Sequence, residues 1–509
     1  MKRLLILATC ALASLSAQER SIPLSVLRDK IAGGWAGQMI GVSYGAPTEF
    51  RYRGEIIPRN KLPKWRPGMI SNAIQQDDLY VDMTFAQVLD DKGIGATTED
   101  FGEMFKNARY RLWHANLAAR RALKRGVPAS LSGTPKYNVH ANDIDFQIEA
   151  DFIGLMAPGM PRSSNEIAWR AGRVMNYGDG IYGGMFVSCM YSAAFFEKAP
   201  RQLVEAGLAC LPAESTYAQT IADVLRLHAL YPRSWEKAWR EIDHKWNRDD
   251  PCPEGALLPF NIDAKLNGAY IALGLLYGGG DFDKTIVIST RAGQDSDCNP
   301  SSAAGILGVV LGYEAIPAKF KSGFAEIETK EFRYTKYTFP SIVESTYQRA
   351  LALAAANGGG VRDTALIVPA QAPVPARLEA WNDYGKPMER IPAQDARFRF
   401  SGDWSKTKTG YGSSMKGAAA EVTFEGTGFI LVGPYTPTGG KADVFVDGEF
   451  AATIDANSDE DVSKRGESLY HNFSLKSGQH IVKLVVRGEP VAWASGEMVE
   501  LDGLVVFRR

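Results

Sequence analysis

The stretch A-G-Q-D-S-D-C-N-P-S-S, residues 292–302, sets Asp295 and Asp297 on either side of one serine, just ahead of an apolar helical run. A second acidic group, Q-Q-D-D-L-Y-V-D, carries Asp77 and Asp78 where a helix begins, a place that suits carboxylates electrostatically. Asp78 and Asp82 are four apart and so share a helix face. A third group, P-T-E-F, follows a glycine-rich helix and contributes Glu49. Singly, each reads as a cap or a solvated turn. The functional alternative for Asp295 and Asp297 is a cation site. Asp295-Ser296-Asp297-Cys298-Asn299 begins like a calcium loop, but Pro300 stands where the turn glycine belongs and Ile306 where the closing glutamate belongs, so an EF-hand is excluded. Between these groups, N-D-I-D-F-Q-I-E-A-D is unusually acidic for its apolar setting. Asp145, Glu149 and Asp151 are either a substrate-facing wall or salt-bridged core acids. Trp113 and His114 read as packing residues. No Ser-His-Asp set and no phosphate-binding glycine motif stands out.

These residues need a scaffold, and residues 21 to about 355 supply a helical one. Apolar residues recur at helical spacing in 79–89, 167–174, 183–196, 217–230 and 266–276. Glycine is costly inside a helix, so I-A-G-G-W-A-G, residues 31–37, predicts close helix packing or backbone near a ligand. Asn299, with Pro300 behind it, is the expected start of the last of these helices. The texture changes at Gly358-Gly359-Gly360. The Pro/Ala-rich run that follows reads as a linker over 356–378. Beyond it, short alternating runs at 421–424, 429–432, 442–446, 473–475, 481–486 and 504–507 read as strands, with Asp447-Gly448 as a hairpin turn. The expected architecture is therefore multidomain: an all-α domain followed by an all-β jelly-roll sandwich over 379–509.

Three segments, G-G-W-A-G-Q-M-I-G-V-S-Y-G-A-P-T-E-F, Q-D-D-L-Y-V-D-M-T-F and A-G-Q-D-S-D-C-N-P-S-S-A-A-G-I-L-G, resemble in order the signature segments of the ADP-ribosylglycohydrolase family. The resemblance spans roughly residues 25–330. It implies an all-helical fold with two magnesium ions in a central cleft, and Glu49, Asp77, Asp78, Asp295 and Asp297 as their ligands. Glu49, Asp78 and Asp297 would also serve the chemistry. It further implies that N-Y-G-D-G-I-Y-G-G, residues 176–184, is the substrate loop, with Tyr177, Asp179 and Tyr182 reaching sugar hydroxyls; read alone, that stretch is equally a glycine-rich helix entry. Two positions depart from the family. Gln76 and Cys298 stand where threonines are usual. A thiol is a soft, poor substitute for a hydroxyl on magnesium, which puts one of the two metal positions in question.

The 509 residues are 45% hydrophobic with a net charge of -1, which argues against a nucleic-acid footprint. Lys2 and Arg3 precede an apolar run ending in small residues at Ala17, the pattern of an export signal cleaved there, too short for a membrane span. Thr9 spoils the lipobox before Cys10, so a periplasmic or extracellular protein is expected rather than a lipoprotein. Cys189 and Cys210, within apolar helical runs, read as buried thiols. Three functions remain open: an exported, metal-assisted glycoside hydrolase acting on a sugar with a cis-diol, an ADP-ribosyl hydrolase, and a glycan-binding protein without catalysis. In the sandwich, Trp404, Tyr411 and Tyr435 either stack on sugar or pack.

Overall fold

The computed structural model describes residues 19–380 and 385–509. The export signal read over 1–17 lies outside the described residues. No described helix is long and apolar enough to cross a membrane. Six helices matter for the site: α1 (Leu24–Gly45), α2 (Asp77–Lys92), α3 (His114–Lys124), α4 (Asp179–Ala194), α5 (Ala264–Gly278) and α6 (Cys298–Leu311).

The pairing of α1 with α6 organises the helical domain. Gly33, Gly37, Gly41 and Gly45 repeat at four-residue spacing and so form one stripe along α1. A Cβ at each would fall within 2.3 Å of the carbonyl oxygens of Gly308, Ala304, Pro300 and Ser296 respectively. The two helices therefore run antiparallel with their backbones nearly touching. The stripe ends where Gly45 meets Ser296, so the packing itself delivers the Glu49 turn to the Asp295–Asp297 loop. Thr48 and Ser296 hydroxyls lock that junction at 2.8 Å. Helix α6 begins at Cys298 with Asp297 in the cap position and no side-chain cap, not at the expected Asn299.

Cys189 and Cys210 are joined in a disulfide between α4 and the turn after helix Pro200–Leu208, which corrects the reading of both as free thiols. Each lies in an apolar helical run, and nothing in those runs announces a partner. The bridge closes a loop of sequence separation 21. Removing it as Cys189→Ala/Cys210→Ala is expected to cost about 3 kcal/mol, chiefly by freeing the unfolded chain. Urea unfolding of the two proteins checks this, and a loss below about 1 kcal/mol would contradict it.

The segment read as a linker is built into the helical domain at its start. Gly360–Arg362 and Ala365–Val368 are strands, and the second pairs antiparallel with Arg20–Pro23, so the two ends of the domain are tied together. The remainder is held by side chains: Gln371 and Ser163 exchange hydrogen bonds, Asn165 donates to Val374 O, and Glu379 pairs with Arg173.

Beyond it stand two larger antiparallel sheets, with a small three-stranded sheet of Val499–Leu501, Tyr411–Ser413 and Ser405–Lys406 beside them. One orders Glu449–Asp455, Gly440–Val446, Gly478–Pro490, Ala419–Gly426 and Phe398–Ser401; the other orders Lys464–Asn472, Gly428–Tyr435, Gly503–Arg508 and Lys386–Pro392. Residues 473–475, expected as a strand, follow the Lys464–Asn472 strand as coil. Phe429, Leu431, Leu504 and Val506 face the sandwich core. Their neighbours Ile430, Val432, Val505 and Phe507 pack against Val139 and Ala141 of the helical domain. Both faces of this sheet are thus buried, which is why its two central strands read as continuous apolar runs. Arg121 cements the seam, paired with Asp455 and Asp459 and lying 3.7 Å from the Tyr435 ring centroid. Trp404 and Tyr411 pack around Phe400, so all three aromatic residues considered for sugar stacking are engaged in packing.

Candidate active site

Where α1 ends, α2 begins and α6 begins, a cleft of about 380 Å³ opens. Its lining includes Glu49, Gln76, Asp77, Asp145, Asp295 and Cys298. Asp78 and Asp297 lie just beneath, 1% and 2% exposed. Cys298 Sγ donates to Asp78 Oδ2 at 3.3 Å and approaches Asp297 Oδ1 at 3.8 Å. The ligand atoms of Asp295, Asp297 and Cys298 lie within 4.8 Å of one another. The structure thus brings together the five carboxylates Glu49, Asp77, Asp78, Asp295 and Asp297, although they come from three distant segments.

Electrostatically this cluster is short of positive charge. Burial raises Asp78, Asp295 and Asp297 well above the usual carboxylate range, and their neighbouring carboxylates push the same way. Glu49 is raised chiefly by Asp297, but it is the member exposed to solvent, which screens that push. Asp78 Oδ1 and Asp295 Oδ1 are buried with no hydrogen-bond partner. Unpaired buried carboxylate oxygens are costly unless a cation completes them. The donor set therefore fits one or two hard divalent cations. Gln76 still offers a carbonyl oxygen beside Asp77, whereas the Cys298 thiol spends its proton on Asp78.

The middle acids divide. Asp145 lines the cleft and accepts from the Asn116 and Ala115 backbone N–H groups at 2.9 and 3.3 Å, at the start of α3. Burial pushes it up to about 6, with His114 opposing. Glu149 lies behind, accepting from the Asn116 side chain. Asp151 is fully buried beside Asp82, away from the cleft lining. The glycine-rich loop also lies elsewhere. Tyr177 packs at the seam with Val139 and Phe507, and Asp179 accepts from Tyr217 N at 3.1 Å. Tyr182 Oη donates to Arg377 O and accepts from Glu379 N, anchoring the segment between the domains.

Trp113 and His114, read as packing rather than catalytic residues, do pack and also form a wall of the cleft. Trp113 is 44% exposed, and the sandwich's Lys464 sits 4.1 Å from its ring centroid. His114 Nε2 lies 3.6 Å from Glu254, and its ring stacks near Phe260. Phe50, His114 and Gln294 all have left-handed backbones, with φ of 48°, 42° and 54°. Three strained non-glycine residues around one cleft mark it as a place where the fold gives up stability for geometry. Phe50 N donates to Gln294 O and Gln294 N to Tyr52 O, contacts between segments far apart in the chain, so no local sequence pattern carries this strain. A larger groove of about 670 Å³ beside Thr84, Glu103 and Tyr334 contains no comparable group of unpaired buried carboxylates.

Comparison with known proteins now bears on the cleft. The ADP-ribosylglycohydrolase family profile matches residues 23–365. The chain belongs to the ADP-ribosylglycohydrolase family. A stretch of 104 residues is 30% identical to the A type blood alpha-D-galactosamine galactosaminidase of Flavonifractor plautii, covering 19% of this chain and 9% of that protein. The chain therefore spans less than a tenth of that relative's length. Among solved structures, an ADP-ribosylglycohydrolase-related protein complex aligns over 65% of this chain and 98% of its own, at 18% identity and a TM-score of 0.39. The CBM36-1 domain of a multidomain xylanase from the hindgut metagenome of Trinervitermes trinervoides aligns over 23% of this chain and 95% of its own, at 16% identity and a TM-score of 0.18. The ADP-ribosylglycohydrolase domain holds all five clustered carboxylates and the cleft above them, and the sandwich adds Lys464 at its rim.

Proposed function

We propose that this protein is an exported glycoside hydrolase that uses divalent cations, magnesium foremost, in the cleft between α1, α2 and α6. One observation carries the reading: five carboxylates converge at the cleft, Glu49, Asp77 and Asp295 lining it and Asp78 and Asp297 just beneath, with Asp78 Oδ1 and Asp295 Oδ1 buried and unpartnered. Glu49, Asp77, Asp78, Asp295 and Asp297 would hold the cations, which when bound supply Lewis-acid polarisation and a template for a sugar diol. Asp145 lies outside that set, anchored by two backbone N–H groups. Its pKa of about 6 suits a group that gives or takes a proton near neutral pH. Trp113, 44% exposed, offers an apolar face to a sugar ring, and His114 with Glu254 fixes the wall it stands on.

Family membership alone would favour ADP-ribose as the group released. Outside the cation ligands, the lining sets Asp145 and Glu254 against Arg53 and His114, with no cluster of basic side chains to hold a diphosphate, which speaks for a less charged sugar. The Cys189–Cys210 disulfide supports export, because such bridges persist in oxidising compartments. The partial likeness to a galactosaminidase makes α-galactosaminides the first substrates to try, with furanosides next.

The test is release of sugar from chromogenic and natural glycosides with magnesium and with chelator. Free ADP-ribose released from modified arginine or serine is measured alongside. Metal-dependent sugar release supports the proposal. Release of ADP-ribose alone moves the reading to ADP-ribosyl hydrolysis, and sugar binding without turnover moves it to a glycan-binding protein.

A further inference from the structure

A second group of ligand-bearing side chains lies outside the cleft, against the seam between the domains. His140, Asp143 and Cys252 each offer a ligand atom within 4.8 Å of the others. His140 Nδ1 lies 2.8 Å from Asp143 Oδ2 and 3.5 Å from Cys252 Sγ. The three residues are 2%, 0% and 0% exposed. Tetrahedral zinc, with Zn–N near 2.0 Å and Zn–S near 2.3 Å, separates such a nitrogen and sulfur by about 3.5 Å.

The surroundings are built rather than accidental. Ala264 N donates to Asn142 O and Ile144 N to Ile262 O, so the loop carrying His140 and Asp143 is pinned to the start of α5. Cys252 N is held by Asp250 Oδ1 at 2.9 Å. Asp143 Oδ1 and Asp250 Oδ2 are both buried with no hydrogen-bond partner. On the far side of the imidazole, Glu467 of the sandwich places Oε2 3.4 Å from His140 Nε2. A carboxylate behind the second nitrogen of a ligating histidine is the usual support for a metal–imidazole bond.

We propose that His140, Asp143 and Cys252 bind one zinc ion, which pins the β-sandwich to the helical domain through Glu467. The ligand set selects the metal: thiolate with imidazole suits zinc and disfavours magnesium. The charges balance, since a thiolate and a carboxylate neutralise the dication, and the thiol proton leaves to solvent on binding. Cys252 is fully buried, which keeps its thiol from reaching a substrate as a nucleophile.

Cobalt(II) is the probe, because a thiolate ligand gives it a charge-transfer absorption. In Cys298→Ser, Cys252 is the remaining free cysteine of the described residues, the other two being disulfide-bonded. One equivalent of cobalt is expected to produce the thiolate band, and zinc to displace it. Adding Cys252→Ser or His140→Gln should abolish it, and Glu467→Gln should weaken binding by about 10- to 100-fold. A folded Cys298→Ser protein with no band, or a band that survives Cys252→Ser, overturns the proposal. Should Cys298→Ser fail to fold, the zinc content of the parent decides: it must fall by one ion per chain in His140→Gln, and an unchanged content refutes the site. The outcome is independent of glycosidase activity.

Discussion

Asp295→Ala is expected to lower kcat/KM by on the order of 10³-fold or more, and at the same time to make the metal-free protein more stable. The two effects have one cause. Asp295 is 2% exposed, its Oδ1 is unpartnered, and burial together with the nearby Glu49 carboxyl makes its charge unfavourable. Deleting it relieves that repulsion, worth roughly 1–3 kcal/mol in the absence of cation. The same deletion removes a ligand from a site whose value to catalysis is the charge it concentrates. Thermal unfolding with and without magnesium separates the effects. The parent should gain stability as magnesium rises, by about 2.7 kcal/mol at a hundredfold excess over Kd, because the cation binds only the folded chain. Asp295→Ala should start higher and gain nothing. An Asp295→Ala protein that keeps the magnesium response would remove Asp295 from the site. A parent with no response would favour the glycan-binding reading, with Gln76 and Cys298 as signs of lost chemistry.

The acids were legible from sequence because each sits beside a feature with its own physical reason. Asp77 and Asp78 open a helix, Asp295 and Asp297 precede one, and Glu49 ends a glycine-marked one. Their convergence was legible only through resemblance, since no local rule says that residues 49, 77 and 295 meet. The glycines of α1 did report close packing, but their partner, the carbonyl row of α6, is a property of two helices together. That His114 and Trp113, read as packing rather than catalytic residues, would also line the cleft was not legible, because an aromatic pair before a helix looks like packing alone. What exposes them is a left-handed backbone at His114, and backbone angles are set by neighbours that sequence does not display. Tyr177, Asp179 and Tyr182 share a loop whose glycines invite a binding role, yet their side chains hold the seam, α4 and the inter-domain segment. The apolar runs at 429–432 and 504–507 suggested strands correctly. They were read as alternating, yet they are apolar at every position, because one face packs in the sandwich core and the other on the helical domain.

The other large effect expected is from a single methyl group between the two helices that carry the site. Gly41 sits mid-stripe on α1, where an added Cβ would stand 2.1 Å from Pro300 O, 2.4 Å from its carbonyl carbon and 2.6 Å from Ser301 N. All three are backbone atoms of the facing helix, so no side chain can swing aside. Gly41→Ala must push α1 and α6 apart by more than about 1 Å to reach ordinary contact, and overpacking of this kind costs about 3 kcal/mol. The gain in helix propensity, about 1 kcal/mol, does not offset it. Separation of the helices also withdraws the Asp295–Asp297 loop from Glu49, because Gly45 and Ser296 are the next contact along the same stripe. A displacement of that size in a site that must grip a cation is worth about a hundredfold in rate. Gly68→Ala is the control: nothing lies within 4 Å of its added Cβ, and its stability should stay within about 1 kcal/mol of the parent. If Gly41→Ala matches Gly68→Ala in both melting temperature and magnesium response, the glycine stripe does not set the spacing of the carboxylates, and the link from helix packing to the site fails.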